Sequence, residues 1–198
     1  MGKNKALLEL GGQTLVERAL GVLGSVCAEV AIAGGGVEME RFGRVVPDPA
    51  AGQGPLGGLV AALEDTAYEW NAVLAVDIPF VPASAWRQML SWADGSNALA
   101  VVPRAGERDQ PLCAVYSRGC VPIFRRELEA GRWRVLDALK ALDPVDAMVF
   151  TEVEWFRNLN TPEDFSAAGG LTGELSHDRR AALADHGAPH RIKSNQLG

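Results

Sequence analysis

No histidine precedes His177 in this 198-residue chain, and the other two, His186 and His190, follow close behind it. A histidine-based catalytic centre in the body of the protein is therefore excluded by simple absence. Cysteine is nearly as scarce. Cys27, Cys113 and Cys120 form no CxxC pair and no zinc-like spacing, so buried free thiols in a reducing compartment are the expectation. No apolar run approaches the ~20 residues that span a bilayer, and no basic-then-apolar leader opens the sequence, which makes a cytoplasmic protein the expectation. Positive charge is also short: 19 Lys and Arg against 25 Asp and Glu leave a formal net charge of −6. Nucleic acid and membrane are thereby set aside as main partners, since both attract clustered Lys and Arg. An anionic ligand must be held by a local site.

Hydrophobic residues make up 47% and charged residues 22%, the balance of a globular chain large enough to bury a core. Leu15, Ala19, Leu20 and Leu23 share one helical face, and Thr14 with Glu17 has capping-box spacing, so a helix is predicted over 14–24. Strands are predicted over 29–33 and 43–46. A glycine-rich turn, Ala50 to Gly58, leads into a helix over 59–66. Ala72 to Val76 has the continuous apolar character of a parallel strand covered on both faces. A helix over 84–92, a strand over 98–102, a polar loop over 104–111 and a strand over 112–116 follow. Helices over 117–130 and 132–142 and a strand over 147–153 complete the pattern, before a helix start at Thr161-Pro162. Strands alternating with helices imply an α/β domain with a mostly parallel sheet, whose ligands bind at the carboxyl ends of the strands.

Candidate residues therefore stand just after strands. Asp77, directly after an apolar strand, suits Mg²⁺, which takes one or two carboxylates plus substrate phosphates; as a turn residue before Pro79 it is equally well accounted for. Asp48, between Pro47 and Pro49, reads as a turn residue or a ribose or base contact. Lys5, behind Gly2 and ahead of an apolar segment, has the character of a phosphate-cradling loop or of an ordinary surface lysine. Arg104, Arg108, Arg132 and Arg134 are a spread of cations able to converge on an anion or to form a solvated face. Asn158 and Asn160, two apart on an extended segment, project to one side. Capping the following helix is the simpler role for Asn160.

Taken in order, Met1-Gly2-x-x-Lys5-x-Leu-Leu-x-Leu, Pro47-Asp48, Gly54-Pro55-Leu56-Gly57-Gly58, Asp77-Ile78-Pro79, Gly106-Glu107-Arg108-Asp109-Gln110-Pro111 and Asn158-Leu159-Asn160-Thr161-Pro162-Glu163 resemble molybdenum cofactor guanylyltransferase. The likeness covers roughly residues 1–166. It implies a three-layer Rossmann-like nucleotidyltransferase fold with a mostly parallel sheet, and transfer of GMP from GTP to molybdopterin in its molybdenum-bearing form, with pyrophosphate released. It further implies that Lys5 contacts nucleotide phosphates, that Asp48 contributes to the GTP pocket, and that Asp77 binds Mg²⁺ and nucleotide. Arg108, Asn158 and Asn160 would lie toward the pterin. Other proteins of cofactor biosynthesis or molybdoenzyme maturation are the partners such an enzyme would meet. Alignment and charge neutralisation would carry the catalysis, without a protein nucleophile.

Two departures accompany the likeness. The family's loop begins on a first strand with Leu-Ala-Gly-Gly and reaches Met-Gly-x-x-Lys only afterwards, so the domain at 1–166 reads as truncated at its amino end. The expectation is that Met1 is the internal methionine of the motif; loss of the first strand would expose hydrogen-bonding edges. Gly34-Gly35-Gly36 stands where the family often offers an asparagine to the nucleotide. Residues 167–198 read as a flexible tail, with a short helix near 178–184. Competing readings are a molybdopterin cytidylyltransferase, a sugar-phosphate nucleotidyltransferase, and a non-catalytic cofactor-binding homologue.

Overall fold

The computed structural model describes residues 4–48, 52, 54–161 and 163–168. Met1 to Lys3, Pro162 and the tail from residue 169, including its expected helix, lie outside the described residues. A 3-10 turn, Lys5–Leu7, opens the described chain, with the Asn4 side chain accepting from the Ala6 N–H at 3.1 Å. A tight hairpin of β1 (Glu9–Leu10) and β2 (Gln13–Thr14) leads into α1 (Leu15–Gly24). The capping box closes in both directions: Thr14 Oγ1 accepts from the Glu17 N–H and the Glu17 carboxylate accepts from the Thr14 N–H. Thr14→Ala is expected to cost about 1 kcal/mol, seen as a lower urea midpoint at unchanged slope.

The predicted strand over 29–33 pairs only at its end. Ile32–Ala33 (β3) and Val45–Val46 (β4) form a parallel pair of their own, while Glu29 to Ala31 pairs with no described strand. The glycine-rich stretch also differs from expectation, because α2 spans Gly54–Asp65 and takes Pro55, Gly57 and Gly58 into its first turns. Leu56, Leu59, Val60 and Leu63 fall at i, i+3, i+4 and i+7 and are all buried, so one apolar face starts the helix earlier. Proline suits a first turn, where its missing N–H is no loss.

β5 (Trp70–Leu74), α3 (Ala83–Asp94), β6 (Ala100–Ala105), β7 (Arg108–Asp109), β8 (Cys113–Ser117), α4 (Val121–Glu129), α5 (Val135–Lys140) and β9 (Val145–Phe150) follow in order. β8 lies between β5 and β6 and is antiparallel to both, whereas β9 runs parallel to β6 on its other side. β5, β6 and β9 therefore share one direction and open their carboxyl ends on one edge. The expected polar loop at 104–111 is largely a hairpin. Arg104 faces Asp109 and Ala105 faces Arg108, and Gly106 supplies a φ of +60° that the tight turn requires.

Alternation along the strands divides the core into two layers. Ala100, Val102, Ala114 and Tyr116 pack with α2, α4 and α5 through Leu63, Phe124 and Leu139. Val101, Cys113, Val115 and Met148 face the other way, onto Trp86 and Met89 of α3 and Leu23 of α1. Cys113 and Cys120 are buried free thiols, as expected, and burial pushes the Cys120 thiol up to about 12. Among the described residues no helix is long and apolar enough to cross a membrane.

Candidate active site

The chain leaves β5 toward the carboxyl edge of the sheet and places Asp77 there. The Asp77 main-chain carbonyl accepts a hydrogen bond from the Leu159 N–H at 2.8 Å. That bond stitches the segment after β9 to the segment after β5. Leu159 is fully buried in a small cluster with Leu10, Leu15 and Phe80. Its neighbours Asn158 and Asn160 are exposed, so the predicted common projection of the two amides is present.

Lys5 reaches the same point from the other end of the chain. Its Nζ donates to Asn160 Oδ1 at 2.6 Å and lies 3.7 Å from Asp77 Oδ2. Burial of the adjacent Ala6 against Val16 and Met39 holds the 3-10 turn in place. Lysine, aspartate and asparagine from three distant stretches thus share one small volume. The Lys5 and Asp77 side chains are 37% and 27% exposed, and an ion pair so open to water adds little to stability. Lys5 can therefore exchange these partners for an incoming anion at low cost.

Asn160 does not cap the last helix. Thr161 Oγ1 accepts from the Asp164 N–H at 3.2 Å, and the Asp164 carboxylate accepts from the Asn160 and Thr161 N–H groups, each at 2.9 Å. Those bonds hold the Asp164 carboxyl below the ordinary aspartate range. The cap is supplied locally, which leaves the Asn160 amide to Lys5.

The arginines separate into two kinds. Arg104 makes a fork onto Asp109, Nε to Oδ1 at 2.7 Å and Nη2 to Oδ2 at 2.9 Å. Arg132 does the same with Glu127, and that contact holds the Glu127 carboxyl below its ordinary range. Neither is the loose cation that the sequence suggested. Arg108 is exposed on the hairpin at the carboxyl end of β6, and Arg134 precedes α5 on the surface. Asp48 is half-buried after β4, and its Oδ2 faces Gly58 in the first turns of α2. Gly35, with φ +87°, could not become an asparagine unchanged: a Cβ there would sit 2.6 Å from Met39 Cγ. Sequence reasoning missed Asp109 as the partner of Arg104. The signal was present, because residues 104 and 109 stand opposite each other across a hairpin turning at Gly106.

The model of the MobA-like NTP transferase domain matches residues 1–145. A probable molybdenum cofactor guanylyltransferase of Pelotomaculum thermopropionicum is 41% identical over 177 residues, covering 85% of each chain. The molybdenum cofactor guanylyltransferase of Desulfosudis oleivorans is 29% identical over 183 residues, covering 84% of this chain and 86% of that one. Among solved structures, molybdopterin-guanine dinucleotide biosynthesis protein A of Archaeoglobus fulgidus superposes with a TM-score of 0.74 at 22% identity, over 87% of this chain and 92% of that one. The 2-C-methyl-D-erythritol 4-phosphate cytidylyltransferase of Thermus thermophilus shares the fold at a TM-score of 0.64 and 20% identity, over 85% and 94% of the two chains. With an α/β sheet that brings Lys5, Asp77 and Asn160 to one edge, this chain belongs to the MobA-like NTP transferase family, among its molybdenum cofactor guanylyltransferases.

Proposed function

We propose that this chain transfers GMP from GTP to molybdopterin, in its molybdenum-bearing form, to give the guanine dinucleotide cofactor and pyrophosphate. The observation that carries the reading is the meeting of Lys5 Nζ with Asp77 Oδ2 and Asn160 Oδ1 at the carboxyl edge of the sheet. A terminal phosphate oxygen of the pterin attacks the α-phosphorus of GTP. The new P–O bond forms as the bond from the α-phosphorus to the bridging oxygen breaks, and pyrophosphate leaves. No protein nucleophile enters, in keeping with a body that contains no histidine.

Lys5 would exchange Asn160 for a phosphate oxygen and hold the nucleotide's charge in line with the attacking group. Asp48 is assigned to the nucleotide side, and Arg108, Asn158 and the released Asn160 amide to the pterin side. Mg²⁺ fits Asp77, a lone carboxylate at a strand end that leaves the other coordination positions to phosphate oxygens and water. Among the described residues no group of three or more His, Cys, Asp or Glu comes together as an all-protein cage, an arrangement that Mg²⁺ bound with substrate phosphates does not need. Held there, Mg²⁺ would supply charge neutralisation at the phosphates.

Incubation with GTP, molybdenum-loaded molybdopterin and Mg²⁺ is expected to yield the guanine dinucleotide and pyrophosphate, with CTP a poor replacement. A preference for CTP would make the protein a cytidylyltransferase, and binding of the pterin without either product would make it a cofactor-binding homologue. Chelation with EDTA should abolish turnover, and added Mg²⁺ should restore it. Lys5→Ala should weaken GTP binding roughly 10- to 100-fold, the loss of one charge-assisted contact, in calorimetric titration. Its thermal midpoint should stay close to that of the parent.

A further inference from the structure

β3 and β4 run parallel, with Ile32 opposite Val45 and Ala33 opposite Val46, and the Gly34 N–H donates to the Val46 carbonyl at 2.9 Å. Gly34-Gly35-Gly36 and Pro47-Asp48 therefore leave one edge side by side. Past the glycines the chain enters a second 3-10 turn, Val37–Met39, whose Met39 is buried with Ala6 of the first turn and Val16 of α1. Glu38, in the middle of that turn, is exposed, and its Oε1 accepts from Asn4 Nδ2 at 3.2 Å. Asn4 immediately precedes Lys5. One carboxylate thus stands beside the lysine assigned to the phosphates and shares an edge with Asp48 on the nucleotide side.

The missing side chain at Gly36 shapes how Glu38 lies. A Cβ on Gly36 would collide with Glu38 Oε2, and would stand 3.0 Å from its Cδ and 3.2 Å from Oε1. The carboxylate therefore fills the space that a side chain at 36 would take, folded back along the main chain instead of reaching into water. Asn4 uses one of the roughly four acceptor sites that two carboxylate oxygens offer. Among the described residues no lysine or arginine pairs with Glu38, and Oε2 takes no hydrogen bond. Val37 beside it is 81% exposed, an apolar side chain left in water at the same place.

We infer that Glu38 reads the base of the nucleotide, its two oxygens accepting from the N1–H and the 2-amino group of guanine, an inference that rests on the guanylyl-transfer reading above. Guanine is the base whose pairing edge sets two donors side by side, which matches a carboxylate as a guanidinium does. Adenine and cytosine place a ring-nitrogen acceptor beside their amino group, and uracil flanks its single N–H with carbonyls. Each of those edges sets an acceptor against a carboxylate oxygen, the repulsive half of a choice between bases. Val37 offers its exposed methyl groups to the face of the same ring. Asn4 is then a positioning residue: it holds the carboxylate at the end of β3 while Lys5, next in the chain, takes the phosphates.

Calorimetric titration of the full chain with GTP, inosine triphosphate, xanthosine triphosphate and CTP, each with Mg²⁺, tests the assignment. Inosine lacks the 2-amino group, so its triphosphate should bind the parent about ten-fold or more weakly than GTP, the loss of one charge-assisted hydrogen bond. In Glu38→Gln the carboxamide keeps an acceptor for N1–H and sets an amine against the guanine amine. GTP affinity should fall about ten-fold or more, while xanthosine triphosphate, with a carbonyl in place of that amine, should gain by a similar factor. A structural role alone would not exchange the two preferences. Asn4→Ala should narrow the preference for GTP over inosine triphosphate without reversing that over xanthosine triphosphate. Thermal midpoints should stay near the parent's, since Glu38 is exposed. An unchanged order of GTP, inosine and xanthosine triphosphates in Glu38→Gln would overturn the role of Glu38 and leave guanylyl transfer standing. Equal weakening of all four nucleotides would overturn it too, by showing that Glu38 only holds the chain around Lys5. Tighter binding of CTP than of GTP by the parent, or binding of neither, would overturn the guanylyl-transfer reading and the role of Glu38 with it.

Discussion

Asp77→Asn is expected to lower the single-turnover rate of GMP transfer about 10²- to 10³-fold, the size of effect seen when one group that stabilises transition-state charge is removed. Asparagine keeps the volume and shape of the side chain and removes only its charge. The main-chain bond from Leu159 to the Asp77 carbonyl does not involve the carboxylate and survives the change. The nearest charged partner, Lys5 Nζ, is 3.7 Å away in an exposed pair, so little stability goes with it. A circular-dichroism spectrum and thermal midpoint near those of the parent should therefore accompany the lost activity. Product formation at the parental rate would remove Asp77 from the chemistry and with it the proposed reaction centre.

Arg104→Met is expected to destabilise the fold by about 3–5 kcal/mol, because it removes the two-pronged guanidinium partner of a buried carboxylate. The Asp109 side chain has no exposed surface and the Arg104 side chain only 17%. Both carboxylate oxygens take a guanidinium hydrogen bond, so removing the arginine leaves a desolvated charge without those two donors. In a domain of this size the thermal midpoint should drop by roughly 10 °C. Adding Asp109→Leu to Arg104→Met should recover most of the loss, since two apolar residues of similar volume can fill the site with no buried charge. A small effect of the single replacement, or no recovery in the double, would show that the pair is not what holds the hairpin carrying Arg108.

The helix at Thr14, the strand end before Asp48 and the Asn158–Asn160 segment rest on local rules and are legible, whereas the parallel strand expected over 72–76 is instead Trp70–Leu74, paired antiparallel with β8. A capping box, a run of apolar residues and a two-residue alternation all act over a few positions. The early start of α2 was hidden by its glycines: helix propensity opposed it, and burial of Leu56 against the sheet decided it. Pairing of 32–33 alone within the predicted strand at 29–33 was equally unreadable, because strand length is set by whether a neighbour offers hydrogen bonds.

By itself, the sequence determined the α/β alternation, the family, the absence of histidine chemistry in the body and the residues standing after strands. Tertiary structure alone decided which of those residues meet. Lys5, Asp77 and Asn160 are joined by a lysine reaching across the ends of the chain, while Arg104 and Arg132 are drawn into carboxylate forks. It also decided that β5 pairs antiparallel with β8. Main-chain hydrogen bonds and ion pairs are short-ranged and independent of sequence distance, so only the folded arrangement of the strands determines which groups find partners.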